Sequence, residues 1–145
     1  ISGSDYAPPI QERLNDLEDF DQTLAKDFAE YVVQLHQKGI LHHDLNQTNV
    51  LYHPQDNGHY AFSVIDIHRM KIYPVGEEIP VRDCFDNLTR FTRKMDLFEF
   101  VAKHYIEKRG WNSDLLKKAI GAKLEFDEKR RRKKAFLAKF KPKKK

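Results

Sequence analysis

The chain has 145 residues, 40% hydrophobic and 33% charged, with a formal net charge of +4. This bounds it to one hydrophobic core in the soluble globular class, and no apolar run approaches the roughly 18 residues that a membrane-spanning helix needs. The lone Cys84 excludes an internal disulfide and agrees with a reducing compartment.

The first residue is Ile and no secretory leader is visible, so the expectation is a fragment or a processed form. Residues 1–20 begin with a Gly/Ser/Pro-containing stretch and read as a linker or irregular lead-in, with Leu14, Leu17 and Phe20 forming a short helical turn. A clearer helix is predicted over about Asp21 to Lys38. Leu24, Phe28, Tyr31, Val32 and Leu35 recur at three- and four-residue spacing and mark one apolar face. Asp21 suits the N-cap, and Gly39 suits the left-handed position just past the end.

Ile40 and Leu41 lead into His42-His43-Asp44-Leu45-Asn46-Gln47-Thr48-Asn49. Asn49 to Tyr52 reads as a short strand. Residues 53–59 are rich in turn formers, Asn57-Gly58 foremost. Tyr60 to Ile65 reads as the returning strand, with Val64 and Ile65 buried. Such a hairpin brings the residues before Asn49 close to Asp66-Ile67-His68-Arg69. One Asp, an Asn five residues on and a second Asp then share one site. That set suits metal-assisted phosphoryl transfer: one carboxylate accepts a proton from an attacking hydroxyl, while the amide and the other carboxylate hold Mg²⁺ on nucleotide phosphates.

Ile67 to Pro80 reads as mostly irregular. One long helix is predicted from about Arg82 to Arg109, with an apolar stripe of Leu88, Phe91, Met95, Phe98, Val101, Ala102 and Tyr105, ended by Gly110. Asn112 or Ser113 suits the cap of a further helix carrying Leu115, Leu116, Ala119 and Ile120, interrupted at Gly121. A separate basic helix with Phe136, Leu137 and Phe140 follows, stopping near Pro142. Trp111 reads as a packing anchor.

Charge divides the chain. Residues 129–145 carry 11 of the 26 basic residues and no acid, leaving 15 basic against 22 acidic groups before them. A tail of this kind favours polyanions such as an anionic membrane surface or nucleic acid, or is simply a solvated terminus. Five histidines (His42, His43, His53, His59 and His68) fall in one region. They lack a helical i, i+4 pair and have one Cys for company, which argues against zinc.

The run from Gly39-Ile40-Leu41 through His42-His43-Asp44-Leu45-Asn46-Gln47-Thr48-Asn49, a short hairpin, and Val64-Ile65-Asp66-Ile67-His68-Arg69-Met70 resembles the C-terminal lobe of the protein-kinase-like fold. Within that fold it is most similar to the bacterial lipopolysaccharide kinases, the Kdo/WaaP group, and Asp66-Ile67-His68-Arg69 in place of Asp-Phe-Gly is the discriminating part. The resemblance covers about Leu24 to Gly110. It implies an α+β, mainly α lobe, with a small β-hairpin carrying the catalytic and metal loops. The expected division is a lead-in at 1–20, the lobe at 21–128 and a basic tail at 129–145.

The resemblance implies ATP and Mg²⁺ as cofactors and a lipopolysaccharide-core sugar (Kdo or heptose) as acceptor. Asp44 takes the position of the catalytic Asp and His42 that of the loop's structural His. Asn46 stands where many kinases have a Lys beside the transferred phosphoryl. Asn49 and Asp66 match the metal-holding pair, and Arg69 would contact substrate phosphate or stabilise the loop. His43 replaces the Arg that reads activation-loop phosphorylation in many protein kinases, so that control is not expected.

The Gly-rich loop, strand Lys and helix Glu of the fold find no place before the first clear helix. The missing N-terminal lobe is therefore an expected partner, and the chain alone is expected to be inactive. The expected location is cytoplasmic and peripheral on the inner membrane through the basic tail, with nucleic acid the less favoured ligand. Two alternatives stand beside this reading. One is a small-molecule (aminoglycoside-like) or protein kinase of the same fold. Small-molecule kinases usually carry a second carboxylate soon after the metal Asp, and His68-Arg69 stands there instead. The other is a non-catalytic module that binds polyanions through its tail.

Overall fold

The computed structural model describes residues 7–14 and 21–140. Its elements are α1 (Gln11–Leu14), α2 (Gln22–Gln37), β1 (Ile40–His42), β2 (Val50–Pro54), β3 (Tyr60–Val64), a 3-10 turn (Ile67–Arg69), β4 (Met70–Ile72), α3 (Val81–Thr89), α4 (Met95–Arg109) and α5 (Leu115–Ala138). The architecture is mostly helical, with two small antiparallel sheets, β1–β4 and β2–β3.

Helix α2 forms where its periodicity places it. Leu24, Phe28 and Val32 are fully buried, and Ala25 and Ala29 widen the stripe. The Asp21 carboxylate accepts the Leu24 N–H at 3.0 Å, which satisfies an otherwise orphaned first-turn donor. Gly39 follows the helix at φ +80°, and a Cβ there would lie 3.1 Å from the Tyr73 carbonyl oxygen. Both the backbone angle and the close approach of the chain leaving β4 therefore call for glycine.

The β2–β3 hairpin pairs Val50 with Val64 through to Pro54 with Tyr60. Gly58 takes φ +85° at its turn, and the Asn57 side chain accepts the His59 N–H at 3.0 Å. Helix α2 holds the hairpin in two ways. Phe62 packs edge-on against Phe28 at 6.0 Å between centroids, while Asp21 and Asp27 accept hydrogen bonds from the Tyr60 hydroxyl and the Tyr60 N–H at 2.8 and 2.9 Å.

Four local expectations are revised. The described part of the lead-in is packed: Pro9 bridges Leu51, Ile10 N–H donates to the Val50 oxygen at 2.9 Å, and Ile10 and Leu14 are fully buried. Leu14 thus forms its short helix, while Leu17 and Phe20 lie outside the described residues. Residues 70–72, expected to be irregular, form β4 against β1. Ile65 is 43% exposed and Val64 only half-buried, where both were expected to be buried, because Ile65 lies just past the end of β3 and the hairpin's far end is covered on one side only.

The fourth revision concerns the helices. The long helix expected over 82–109 is two, α3 and α4, joined by a corner at residues 90–94. No Pro or Gly makes that corner; side chains do. Thr89 Oγ1 donates back to the Asp86 oxygen at 2.6 Å, and Thr92 Oγ1 accepts the Lys94 N–H at 3.1 Å. Lys123 of α5, fully buried, donates to the Thr89 oxygen at 3.5 Å and to the Thr92 oxygen. The corner lets Phe91 stack on Phe28 at 4.2 Å. Conversely, Gly121 does not interrupt α5, which runs unbroken from Leu115 to Ala138. A mid-helix Gly costs only about 1 kcal/mol relative to Ala, and α5 gains far more by packing on α3 and α4. Asn112 sits just before α5, its side chain accepting the Asp114 N–H at 2.8 Å.

Candidate active site

The expected site residues converge at the end of β1 and the ends of the hairpin. His42 is 1% exposed. Its Nδ1 accepts the Asp44 N–H at 3.0 Å, so its Nε2 carries the proton and donates to the Ile65 oxygen at 2.8 Å. One imidazole thus fixes the backbone at Asp44 and the backbone just before Asp66. Main-chain bonds reinforce the link: Ile65 N–H donates to the Asn49 oxygen and His43 N–H to the Arg69 oxygen, both at 2.9 Å.

Within the loop, Asn49 directs its amide nitrogen to the Asp44 main-chain oxygen at 2.8 Å and to Asp44 Oδ2 at 3.3 Å. Its amide oxygen is the end left for a ligand. Asn46 donates to Asp44 Oδ1 at 3.1 Å. Its own oxygen accepts from Thr48 N–H, Thr48 Oγ1 and Asn49 N–H at 2.9, 2.6 and 3.1 Å. Asn46, expected beside the transferred phosphoryl, thus commits its amide nitrogen to Asp44 and its oxygen to the turn that leads to Asn49.

Asp66 has φ +65°, the only non-glycine residue with positive φ among those described. Left-handed backbone is tolerated by Asp but disfavoured, and such outliers concentrate where function needs a side chain aimed in one direction. Its carboxylate is partly exposed and lies 3.4 Å from His68 Nε2. Arg69 stabilises the turn through its main chain, N–H to the Asp66 oxygen at 3.0 Å, while its side chain is exposed. Among the described residues no three His, Cys, Asp or Glu gather as a metal cage.

A buried polar relay supports the loop from behind. Arg109 donates to the Tyr105 hydroxyl at 2.7 Å, which donates to His36 Nδ1 at 2.6 Å. His36 Nε2 donates to Asn87 Oδ1 at 2.8 Å, and Asn87 Nδ2 donates to the His42 oxygen at 2.6 Å. Desolvation lowers the His36 pKa to about 4, with the Arg109 charge adding to the effect and the Asn87 bond opposing it. Burial pushes the Tyr105 phenol well above its usual range. Sequence reasoning misses this relay. Its one visible trace is that His36 extends the Phe28–Val32 stripe at the next four-residue step, a polar group on a buried face.

An open cleft of about 610 Å³ lies beside Asp44 and Asn46, walled by Arg90, Arg93 and Lys94 from the α3–α4 corner and by Arg130 from α5. These cations are not expected at the site from sequence either, because only the fold-back of α5 brings Arg130 there.

The family model for the lipopolysaccharide kinase (Kdo/WaaP) family matches residues 10–114. The chain belongs to that family. The resemblance drawn from the Asp44 loop and the Asp66 turn is borne out, and the match reaches further towards both termini than the motifs alone. No curated protein matches the chain. Among solved structures, the Kdo/WaaP-family chain is similar to one described as WaaP in complex with acyl carrier protein. The TM-score is 0.62 at 18% identity, covering 88% of this chain and 57% of WaaP. At that identity the likeness establishes a shared fold. The chain spans somewhat more than half the length of WaaP.

Proposed function

We propose that this chain is the C-terminal, protein-kinase-like lobe of an ATP-dependent kinase that phosphorylates a sugar hydroxyl of lipopolysaccharide core. The observation that carries the reading is the Asn49–Asp44 contact. The amide nitrogen points at the carboxylate and leaves an oxygen for a cation, while His42 ties the same loop to the segment bearing Asp66. Asn49 and Asp66 offer the hard oxygen donors that Mg²⁺ prefers, too few for a protein-only cage, so phosphates and water would complete the shell. When bound, the ion neutralises charge on the phosphates.

Asp44 does the remaining work. Held by Asn46 and Asn49, its carboxylate orients the acceptor hydroxyl and takes its proton as the oxygen attacks. Catalysis of this kind rests on positioning, and the loop's hydrogen bonds supply it. The nucleotide-covering half belongs to a lobe outside these residues. Ile65, Ile67, Ile72 and Val75, all exposed around Asp66 and β4, offer an apolar face for it. The chain by itself is accordingly expected to be inactive.

With the full-length protein, Asp44→Asn and Asp66→Ala each abolish ATP-dependent transfer to a lipopolysaccharide-core acceptor. Unchanged turnover in both would refute the mechanism.

The end of α5 supports a peripheral placement on an anionic membrane surface. No helix among the described residues is long and apolar enough to cross a membrane. Phe136, Leu137 and Phe140 are exposed together among lysines, a pattern suited to lying on anionic lipid. Co-sedimentation with anionic vesicles that is lost on deleting residues 129–145 supports this placement. Equal binding to nucleic acid would reduce the tail to nonspecific electrostatics.

A further inference from the structure

We propose that Arg90, Arg93 and Arg130 form an anion-binding subsite that seats a negatively charged group of the acceptor beside Asp44. The inference rests on the kinase reading and specifies its substrate: a sugar carrying a carboxylate or phosphate near the hydroxyl that is phosphorylated.

Three observations carry it. First, the cleft that opens on Asp44 and Asn46 is walled by these three arginines and Lys94, and among the described residues Asp44 is the one acid in its lining. Second, two of the arginines are held in place and none of the three is neutralised. Arg90 and Arg130 lie over the Phe126 ring at 5.3 and 4.8 Å from its centroid, a contact that orients a guanidinium while leaving its edge donors open. Among the described residues none of the three has a carboxylate within 4.0 Å. Asp127, three residues before Arg130, is engaged by Lys123 at 2.9 Å. Third, the like charges act on one another. Desolvation, then Arg93, push the Arg130 pKa down, with Arg90 adding to them and Asp127 opposing. Guanidinium groups that repel one another across open solvent are stabilised by a shared anion, and their planar donors match carboxylate and phosphate oxygens. Buried Lys123 keeps the geometry by holding the corner that presents Arg93 to the helix that presents Arg130.

The test uses full-length protein and calorimetric titration without nucleotide. The probes are the methyl glycoside of Kdo, which bears a carboxylate, its methyl ester, which has the same shape without the charge, and a glycoside phosphate. Wild type binds at least one of the two charged probes about ten-fold or more tighter than the ester, and which one identifies the source of the charge. Arg93→Gln and Arg130→Gln each weaken that binding by about ten- to a hundred-fold. Arg131→Gln, whose guanidinium is paired with Glu128 at 2.6 Å outside the cleft, leaves it unchanged. Equal binding of ester and charged probes, or unaltered binding in both cleft variants, overturns the subsite. Steady-state kinetics separates this from the kinase reading. Transfer with unchanged acceptor KM in Arg93→Gln and Arg130→Gln removes the subsite alone. Arginine-dependent binding without ATP-dependent transfer removes the kinase reading alone.

Discussion

Asn87 donates a 2.6 Å hydrogen bond to the main-chain oxygen of His42, two residues before Asp44. The other end of the same amide is held by His36, itself held by Tyr105 and Arg109. The relay joins α2, α3 and α4 to the end of β1, so the helical core grips the loop from its buried side.

Replacing Asn87 with Leu leaves the His42 oxygen and the His36 Nε2–H without partners. The expected loss is about 2–4 kcal/mol of stability, read by denaturant unfolding. The loop is also freed to shift, so kcat falls about ten-fold while the KM for ATP is little changed. A fall in stability with unaltered kcat would make the relay purely structural.

His36 makes stability depend on pH. Its folded pKa is lowered to about 4 against an ordinary value near 6.5. Between these values the unfolded chain binds more protons, so stability rises with pH. The His36 contribution is complete above about pH 6.5 and is lost as pH falls towards 4, on the order of 3 kcal/mol in all. Unfolding curves at pH 7 and pH 4.5 measure it. In His36→Gln that part of the slope disappears, and an unchanged slope would assign it to other groups.

Asp66 separates backbone demand from carboxylate chemistry. At φ +65° a glycine fits without strain, so Asp66→Gly keeps stability within about 1 kcal/mol of wild type. Transfer activity is nonetheless lost. Asp66→Ala is expected to be less stable than Asp66→Gly by about 1 kcal/mol. Activity surviving in the Gly variant would remove Asp66 from the chemistry.

Gly121 sits inside α5, and a Cβ placed there would meet nothing within 4 Å. Gly121→Ala is therefore expected to stabilise the protein by about 0.5–1 kcal/mol, seen as a raised thermal midpoint. A lowered midpoint would show that α5 needs its glycine.

The parts legible from sequence are those written in local pattern. Helix α2 is carried by its four-residue spacing and its Asp21 cap, and the hairpin by Asn57-Gly58. The loop from His42 to Asn49 is legible because its residues bond mostly to one another. What sequence hides depends on residues far away. The corner at 90–94 has no breaker of its own and exists because Lys123 claims its carbonyl oxygens. Strand β4 is three residues long with two of them exposed, too short for alternation to show. The cationic cleft requires Arg90, Arg93 and Arg130 to be brought together across about 40 residues of chain, and spacing alone carries no sign of that.

The continuity of α5 has a mechanical consequence. Its 24 residues in one helix span about 36 Å, with the first half bolted to the core at Ala119 and Lys123 and the last turns in solvent. The basic end is thus a rigid arm, not a tether. Whatever surface grips Phe136 and Phe140 sets the height and tilt of the whole body above it. The mouth of the Asp44 cleft, whose wall includes Arg130 of the same helix, would then face that surface at a fixed angle rather than wander.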